Sequence, residues 1–148
     1  MSNTDILLSL KPQHAQTIFN GLKTVELRKR RPNIKPGTRI WIYVSLPTGA
    51  IKGSAKLFRL ESNSPKTIWK KLGGQTGVSK QEFDHYFQNS KIAHALVLKD
   101  VRRLTHDLSL KEIKKKVRGF HPPQFFLHLN GTHKLLKLPS RKSEKIAR

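Results

Sequence analysis

The chain has 148 residues, with 30 Lys and Arg against 9 Asp and Glu, and its formal net charge is +21 at pH 7. That length predicts one domain that buries its own core, and the absence of cysteine excludes disulfides and thiolate metal sites. Because so large a charge costs stability through self-repulsion, it indicates a polyanionic partner, with nucleic acid favoured over an anionic membrane surface.

The hydropathy pattern does not predict insertion into a membrane. The sequence contains no run of 18 apolar residues and no long amphipathic helix with a broad apolar face. Residues 1–5 do not resemble the start of a signal peptide. We therefore expect a cytoplasmic protein, and we expect it to be a monomer.

The first third of the chain predicts a strand, a helix and a second strand. Asp5 to Leu10 is a short apolar run typical of a buried strand. Pro12 opens a helical pattern with an apolar face, and Gly21 suits the left-handed position that ends a helix. After Gly21 the apolar period changes to two, so Val25 and Leu27 form the apolar back of a strand.

The front of this strand carries the candidate site. Glu26 and Arg28 are two residues apart on one face, close enough to pair, and Lys23 lies at the corner between helix and strand. A cation, an anion and a second cation at the mouth of a fold can hold a polar ligand. An exposed edge strand with ordinary surface salt bridges explains the same pattern, so the spacing alone does not decide between them.

Two further strands follow, joined by turns. Pro36-Gly37 predicts a type II turn, and Arg39–Val44 has bulky residues on both faces, as in a strand of a closed or covered barrel. Ala50 to Leu60 is the next strand, in which Gly53 indicates a bend or bulge. The residues of these strands that we expect to share a wall with the candidate site are Arg39, Tyr43 and Lys52.

Two short helices and a glycine-rich linker are predicted next. Ser64 is a cap before the helical segment Thr67 to Leu72, and Ser79 with Glu82 forms a capping box that starts the second helix. The linker Gly73 to Val78 contains three glycines, so we expect it to be mobile. It is either a plain connection or a flap over the cleft.

The last third returns as a strand, a helix and a hairpin. Ala93 to Leu104 alternates as a strand, and a capping box at Ser109 opens a short helix with lysines on its outer surface. Asn130-Gly131 predicts a hairpin turn that pairs Phe125–Leu129 with residues 133–138. Residues 139–148 are basic and have little to bury, so we expect a disordered tail after a domain that spans residues 1–138.

Gly21-x-Lys23-x-x-Glu26-x-Arg28 resembles the signature of the ASCH domain family, a relative of the PUA RNA-binding fold. Segments on either side, including Ser9-Leu10-Lys11-Pro12 and Gly37-x-Arg39-Ile40-x-Ile42-Tyr43, extend the resemblance over roughly residues 5–130. It implies an α+β fold, a small PUA-like β-barrel of about five to seven strands flanked by three to four short helices. It also implies a cleft whose charged residues contact RNA or a nucleotide.

Nucleic-acid binding is the first function that charge and resemblance together predict, with RNA favoured over DNA by the resemblance. The densest basic segment directly follows the signature, where its side chains would contact phosphates. Trp41, Tyr43 and Trp69 either stack on bases or pack in the core. The candidate contact residues are Lys23, Glu26, Arg28, Lys29, Arg30, Arg31, Lys35, Arg39, Tyr43, Lys52, Lys111, Lys114 and Lys115.

An enzyme is the alternative that the resemblance leaves open. Some ASCH relatives are ribonucleases, and others are amidohydrolases that remove an acyl group from N4-acetylcytidine with a lysine, a threonine and a glutamate. The resemblance makes Lys23, Thr24 and Glu26 the catalytic candidates, although Glu26 stands where the threonine is expected and Thr24 is two residues away. A distant glutamate is either Glu61 or Glu82. A lysine nucleophile must lose its proton, and a neighbouring carboxylate opposes that.

The seven histidines do not predict a metal site. No pair of them has the helical i, i+4 spacing beside a carboxylate, so each is interpreted as a surface or packing residue. They are His14, His85, His94, His106, His121, His128 and His133. We expect no cofactor. A basic structural protein associated with the ribosome or a membrane is the third alternative, and it requires only the charge.

Overall fold

The structure, a computed structural model, describes residues 5–130 and 143–145, in which strands alternate with short helices. The strands are β1 (Asp5–Leu10), β2 (Val25–Arg28), β3 (Arg39–Val44), β4 (Ala50–Asn63), β5 (Ala93–Ser109), β6 (Phe126–Leu129) and β7 (Ser143–Lys145). The helices are α1 (Pro12–Phe19), α2 (Pro65–Leu72), α3 (Lys80–Phe87) and α4 (Leu110–Lys116).

The strands form one curled, half-barrel sheet in the order β2-β5-β4-β3-β1-β6, and β7 adds to β5. β1 and β3 are parallel, while the other neighbours are antiparallel. Register shifts interrupt the long β4–β5 pair at Ile51/Gly53, Ser54/Lys56 and Leu57/Arg59. Because each such bulge increases local twist, the sheet bends around its core. The predicted α+β barrel with short flanking helices is confirmed.

Three apolar clusters stabilise this sheet. The first fills the inside of the curl and includes Ile18 of α1. The second packs α4, through Ile113, against the opposite face of the sheet. The third packs α2 and α3 on β2, where Val25 and Leu27 are buried as the period of two predicted. The helices α2 and α3 are therefore fixed directly beside the strand that carries the signature.

The helix ends lie where the sequence placed them. Pro12 occupies the first turn of α1, and Gly21 follows the helix with φ +84°, in the left-handed region that glycine tolerates. The side chains of Ser64, Ser79 and Ser109 each accept a hydrogen bond from a backbone N–H in the first turn of the next helix. Ser79 with Glu82 and Ser109 with Glu112 form complete capping boxes, in which each glutamate side chain also accepts from the backbone N–H of the serine.

Several boundaries differ from the sequence prediction. β4 continues to Asn63 and β5 to Ser109, because the bulges let each long strand bend and stay paired beyond Leu60 and Leu104. Within the tail that we expected to be disordered, Ser143–Lys145 pairs with β5 along an edge that β2 leaves open. The predicted hairpin partner, residues 133–138, and the domain limit at 138 lie outside the described residues.

Candidate functional site

Three charged side chains of the signature form one ion-paired group, which we call the signature triad: Lys23, Glu26 and Arg28. The Nζ of Lys23 lies 3.3 Å from Oε1 of Glu26, and Nη2 of Arg28 lies 2.7 Å from Oε2 of the same carboxylate. Lys23 also donates to the carbonyl oxygen of Thr76 at 2.6 Å, and Arg28 donates to that of Ser9 at 3.2 Å. The predicted pairing of Glu26 with Arg28 is therefore confirmed.

The three side chains of the signature triad differ in how far they are exposed to solvent. The side chains of Lys23, Glu26 and Arg28 are 1%, 8% and 13% exposed. The expectation of an open pocket lined by all three is wrong for Lys23 and Glu26, which lie beneath the protein's own packing. Arg28 is nearest to solvent, and its buried Nε has no hydrogen-bond partner in the described part of the chain. Glu26, itself paired with Lys23, therefore holds the guanidinium of Arg28 in place.

The segment that follows α2 covers Lys23. A 3₁₀ turn at Gly73–Gln75 precedes Thr76, which is fully buried and whose carbonyl receives the lysine. A Cβ at Gly77, where φ is +70°, would lie 3.0 Å from the Cβ of Lys23. The prediction of a mobile linker does not match this packing, because Gly77 closely approaches the lysine and Gly73 closely approaches Trp69.

The other catalytic candidates, Thr24, Glu61 and Glu82, each contact a residue outside the signature triad. Thr24 is half-buried, and its hydroxyl contacts Oε1 of Gln75 at 3.4 Å. Glu61 pairs with Arg59 at 3.4 Å on β4. Glu82 accepts backbone and side-chain hydrogen bonds from Ser79, which lower its pKa, and the charge of Lys23 lowers it further. Neither glutamate forms a hydrogen bond or an ion pair with Lys23 among the described residues, so the structure does not choose between the two.

His14 belongs to the same electrostatic environment, although no sequence pattern distinguished it from the other histidines. It lies on α1 and is half-buried. Burial is the largest cause that lowers its pKa, the positive charges of Lys23 and Lys11 lower it further, and Glu26 and Glu82 act in the opposite direction. The imidazole is consequently biased toward its neutral form beside the buried ion pairs.

An exposed basic surface begins where β2 ends. We define the basic rim as Arg28–Arg31 together with the rings of Tyr86 and Phe125. The Nζ of Lys29 lies 4.8 Å from the ring centroid of Tyr86, and the guanidinium carbon of Arg30 lies 5.6 Å from that of Phe125. The two aromatic residues are 38% and 45% exposed. Cations held over accessible rings are suited to an anionic polymer with flat bases.

The sequence did not identify Tyr86 and Phe125 as site residues. Tyr86 lies between Phe83 and Phe87, which are spaced i, i+4 and are both buried, so the pattern could have assigned Tyr86 to the open side of α3. Burial raises the pKa of its hydroxyl, with a smaller opposing effect from Arg28. Phe125 precedes β6 and contacts the rim because the curl of the sheet brings its two edges together, which sequence spacing does not reveal.

Three predicted wall residues are not joined to the signature triad by any hydrogen bond or ion pair among the described residues. Tyr43 is 2% exposed in the second apolar cluster, so it cannot stack on a base, and its inclusion as an RNA contact is wrong. Arg39 lies over Trp41 on β3. Lys52 forms an ion pair with Asp107 at 3.2 Å and lines a separate cleft of about 500 Å³ beside α1.

The remaining candidates are spread over the surface. Lys35 is exposed in the turn before β3, and Lys111, Lys114 and Lys115 are exposed along α4. Trp41 packs against the second cluster and Trp69 against the third, as the core-packing alternative predicts. Across residues 5–130 and 143–145, no three His, Asp or Glu side chains are grouped to hold a metal ion, and no helix is long and apolar enough to cross a membrane.

The sequence of this chain is similar to a known family and to several named proteins. A family described as "Domain of unknown function (DUF365)" matches residues 4–119. The chain is 32% identical over 139 residues to a protein of Zymomonas mobilis named "ASCH domain-containing ribonuclease", covering 93% of both chains. It is also 35% identical over 118 residues to the large ribosomal subunit protein uL22 of Ureaplasma parvum, of which it spans only 38%.

Solved structures agree with the sequence matches. The crystal structure of ASCH from Zymomonas mobilis superposes with a TM-score of 0.84 at 30% identity, covering 97% of this chain and 98% of that one. A tyrosine-to-phenylalanine variant of the same protein gives a TM-score of 0.85 at 31% identity, covering 93% and 99%. The signature, the curled sheet with its four helices and these matches show that the chain belongs to the ASCH domain family.

Proposed function

We propose that this protein binds RNA through the basic rim. The observation that carries the proposal is the pairing of Lys29 with Tyr86 and of Arg30 with Phe125, which combines exposed cations with exposed rings. Cations contact phosphates irrespective of sequence, and aromatic rings stack on unpaired bases, so the arrangement fits single-stranded RNA. The net charge of +21 and the relative named as a ribonuclease support RNA as the partner.

The signature triad has a supporting role in this proposal. Glu26 fixes the guanidinium of Arg28, and Lys23 fixes Glu26 and the segment above it. A guanidinium held on one side by a carboxylate and a carbonyl can present its remaining edge to a phosphate without losing side-chain freedom on binding. The signature thereby positions one cation at the start of the rim, and Lys29 to Arg31 extend the positive surface.

Binding to a mixed-sequence RNA oligonucleotide, measured by fluorescence anisotropy at several salt concentrations, tests the proposal. We expect affinity to fall steeply with salt, with a log–log slope of about −0.7 for each phosphate neutralised. Tyr86→Ala and Phe125→Ala should each weaken binding, whereas Leu46→Ala, which removes an even more exposed apolar side chain outside the rim, should not. Absence of binding at low salt, or binding indifferent to salt, contradicts the proposal.

We propose RNA hydrolysis as a second candidate function, because the 32%-identical relative is named a ribonuclease and His14 has a lowered pKa beside the signature triad. A neutral imidazole can take the proton from an RNA 2′-hydroxyl, whose oxygen then attacks the adjacent phosphorus as the bond to the 5′-oxygen breaks and that oxygen takes a proton from water. Arg28 is the cation that would stabilise the charge developing on the phosphate. The Nζ of Lys23 is occupied by its contacts with Glu26 and the carbonyl of Thr76, which disfavours it as a nucleophile.

Incubation with labelled RNA, and separately with N4-acetylcytidine, distinguishes the enzymatic alternatives. We expect the wild type to cleave RNA and His14→Gln to lose cleavage while keeping RNA affinity and the folded circular dichroism spectrum. Consumption of acetylated cytidine instead, with loss in Lys23→Ala, would support the amidohydrolase alternative and reject the ribonuclease. If both substrates remain intact, the protein is a binding module.

The name of the ribosomal relative does not support a ribosomal role for this chain. A stretch of equal length, 118 residues, also matches a protein named ATP synthase subunit alpha, at 30% identity and only 15% of that protein's length. Matches of this length therefore occur in proteins named for two unrelated assemblies. Neither assembly is part of the proposed function.

A further inference from the structure

Three cations lie side by side across the middle of the sheet. Arg39 of β3 is directly opposite Lys56 of β4, and Lys56 is directly opposite Lys99 of β5. We call this row the cation ladder. Within residues 5–130, none of the three side chains forms an ion pair with a carboxylate, although other surface cations such as Lys80 and Arg102 do.

The cation ladder is unfavourable for the free protein. Residues directly opposite in antiparallel strands have Cβ atoms about 4.5–5.5 Å apart, and like charges there destabilise the pair. Two such contacts in one row concentrate positive potential on a surface that already belongs to a protein of charge +21. A polyanion that neutralises the row would remove this repulsion, and a neutral ligand would not.

An exposed ring accompanies the cation ladder. Phe58 of β4 is 49% exposed, and the Nζ of Lys99 and the guanidinium carbon of Arg59 lie 5.5 Å and 5.6 Å from its ring centroid. Two cations close to one exposed ring place phosphate-binding groups beside a surface on which a base can stack. This surface repeats the chemistry of the basic rim, and the two share no residue.

We infer that the cation ladder and Phe58 form a second contact surface for single-stranded RNA on the outer face of the sheet. The inference rests on the proposed RNA-binding function and extends it from one surface to two. Phosphates follow the row Arg39–Lys56–Lys99 across the three strands, and a base stacks on Phe58. A long oligonucleotide therefore gains affinity from both surfaces, whereas a very short one occupies one of them.

The double variant Lys56→Gln/Lys99→Gln tests the inference against Lys66→Gln/Lys70→Gln, which removes the same charge from the exposed side of α2. With a 20-nucleotide RNA, the ladder variant should lower the magnitude of the log–log salt slope by about 1.4, while the control should leave the slope unchanged. Phe58→Ala should weaken binding about tenfold, and Phe58→Tyr should retain it. Equal slopes for the ladder variant and the control would overturn the inference.

Thermal unfolding of the free protein gives a readout that binding does not affect. Because the ladder variant relieves like-charge repulsion, its melting temperature at low salt should exceed that of the wild type, and the gain should shrink in high salt. A ladder variant that is less stable than the wild type at low salt contradicts the electrostatic argument. Failure of the wild type to bind any RNA overturns the proposed function itself, whereas unchanged binding by the ladder variant overturns only the second surface.

Discussion

The signature triad and the basic rim are neighbours in sequence and opposites in environment. Lys23 and Glu26 are almost completely buried, and every charge of the triad is within ion-pair distance of another. Lys29, Arg30 and Arg31 follow within three residues of Arg28 and are exposed. Composition alone treats the whole stretch as one basic segment. The structure divides it into a group that stabilises the fold and a group available to a partner.

Arg28 belongs to both regions and explains why they are adjacent. Its guanidinium is held by Glu26 and by the carbonyl of Ser9 of β1, so it links two strands that are not neighbours in the sheet order. The chain leaves β2 at Arg28 and continues directly into the exposed residues 29–31 of the rim. Buried charge in the triad thus fixes the place from which exposed charge projects, and substitutions in the two regions should have separable effects.

The largest effect is expected from Glu26→Ala. Removing the carboxylate leaves Lys23 and Arg28 as uncompensated buried cations, which costs about 3–5 kcal/mol of the free energy of unfolding. Urea denaturation measures the change. Glu61→Ala, which breaks the exposed pair with Arg59, should cost less than about 1 kcal/mol. Similar small losses for both variants would show that the triad is not the buried ionic core described above.

Gly77→Ala tests the cover over Lys23 with a smaller expected loss. A methyl group there would lie 3.0 Å from the Cβ of Lys23, in a backbone conformation of φ +70° that alanine disfavours. We expect a loss of about 1–3 kcal/mol in the free energy of unfolding. Gly74→Ala is the matched control, since a Cβ at Gly74 meets no atom within 4 Å. Equal stability of the two variants would mean that the segment is only loosely packed on the lysine.

The rim should respond in binding and not in stability. Arg30→Ala/Arg31→Ala removes two exposed cations, so the magnitude of the log–log salt slope for RNA should decrease by about 1.4, to a similar extent for every RNA sequence. Unfolding free energy should stay within about 0.5 kcal/mol of the wild type. Salt titrations with two unrelated oligonucleotides measure the first effect. Loss of affinity for one of them alone would indicate base recognition instead.

Sequence patterns predicted the helices and strands of this fold because the local signals for caps, helix ends and strand alternation agree with the final structure. Pro12, Gly21 and the caps at Ser79 and Ser109 act over one helical turn, and the period of two in β2 separates Val25 and Leu27 from the charged face. The long bent strands were harder to delimit, because their bulges depend on pairing between β4 and β5 that is remote in sequence.

The sequence predicted part of the candidate site. It did not predict the contacts that depend on residues remote in the chain. The pairing of Glu26 with Arg28 follows from strand geometry, but the burial of Lys23 depends on residues 73–77, which lie some fifty positions further along the chain. Tyr43 was placed at the site because it is aromatic and in a neighbouring strand, yet it faces the second cluster. Phe125 was omitted because only the curl of the whole sheet brings it to Arg30.

His14 provides the smallest expected effect and tests how far the charge of the signature triad extends. Its pKa is lowered from 6.5 by burial first and by Lys23 next, so the folded state binds its proton less readily than the unfolded chain. The histidine therefore contributes stability that is present above about pH 6.5 and is lost as the pH falls through the lowered pKa. His14→Gln should reduce the acid-induced loss of stability below pH 6.5, measured as unfolding free energy between pH 5 and pH 8.

His94 separates this effect from a general response to acid. Burial lowers its pKa first and the charge of Arg31 lowers it next, whereas Lys23 and Glu26 are among the charges that act on His14. His94→Gln and His14→Gln should each remove part of the acid dependence, and the double variant should remove the sum of the two parts. A double variant that departs from that sum would show that the two histidines are coupled, and two variants that remove none of the acid dependence would contradict the lowered pKa values.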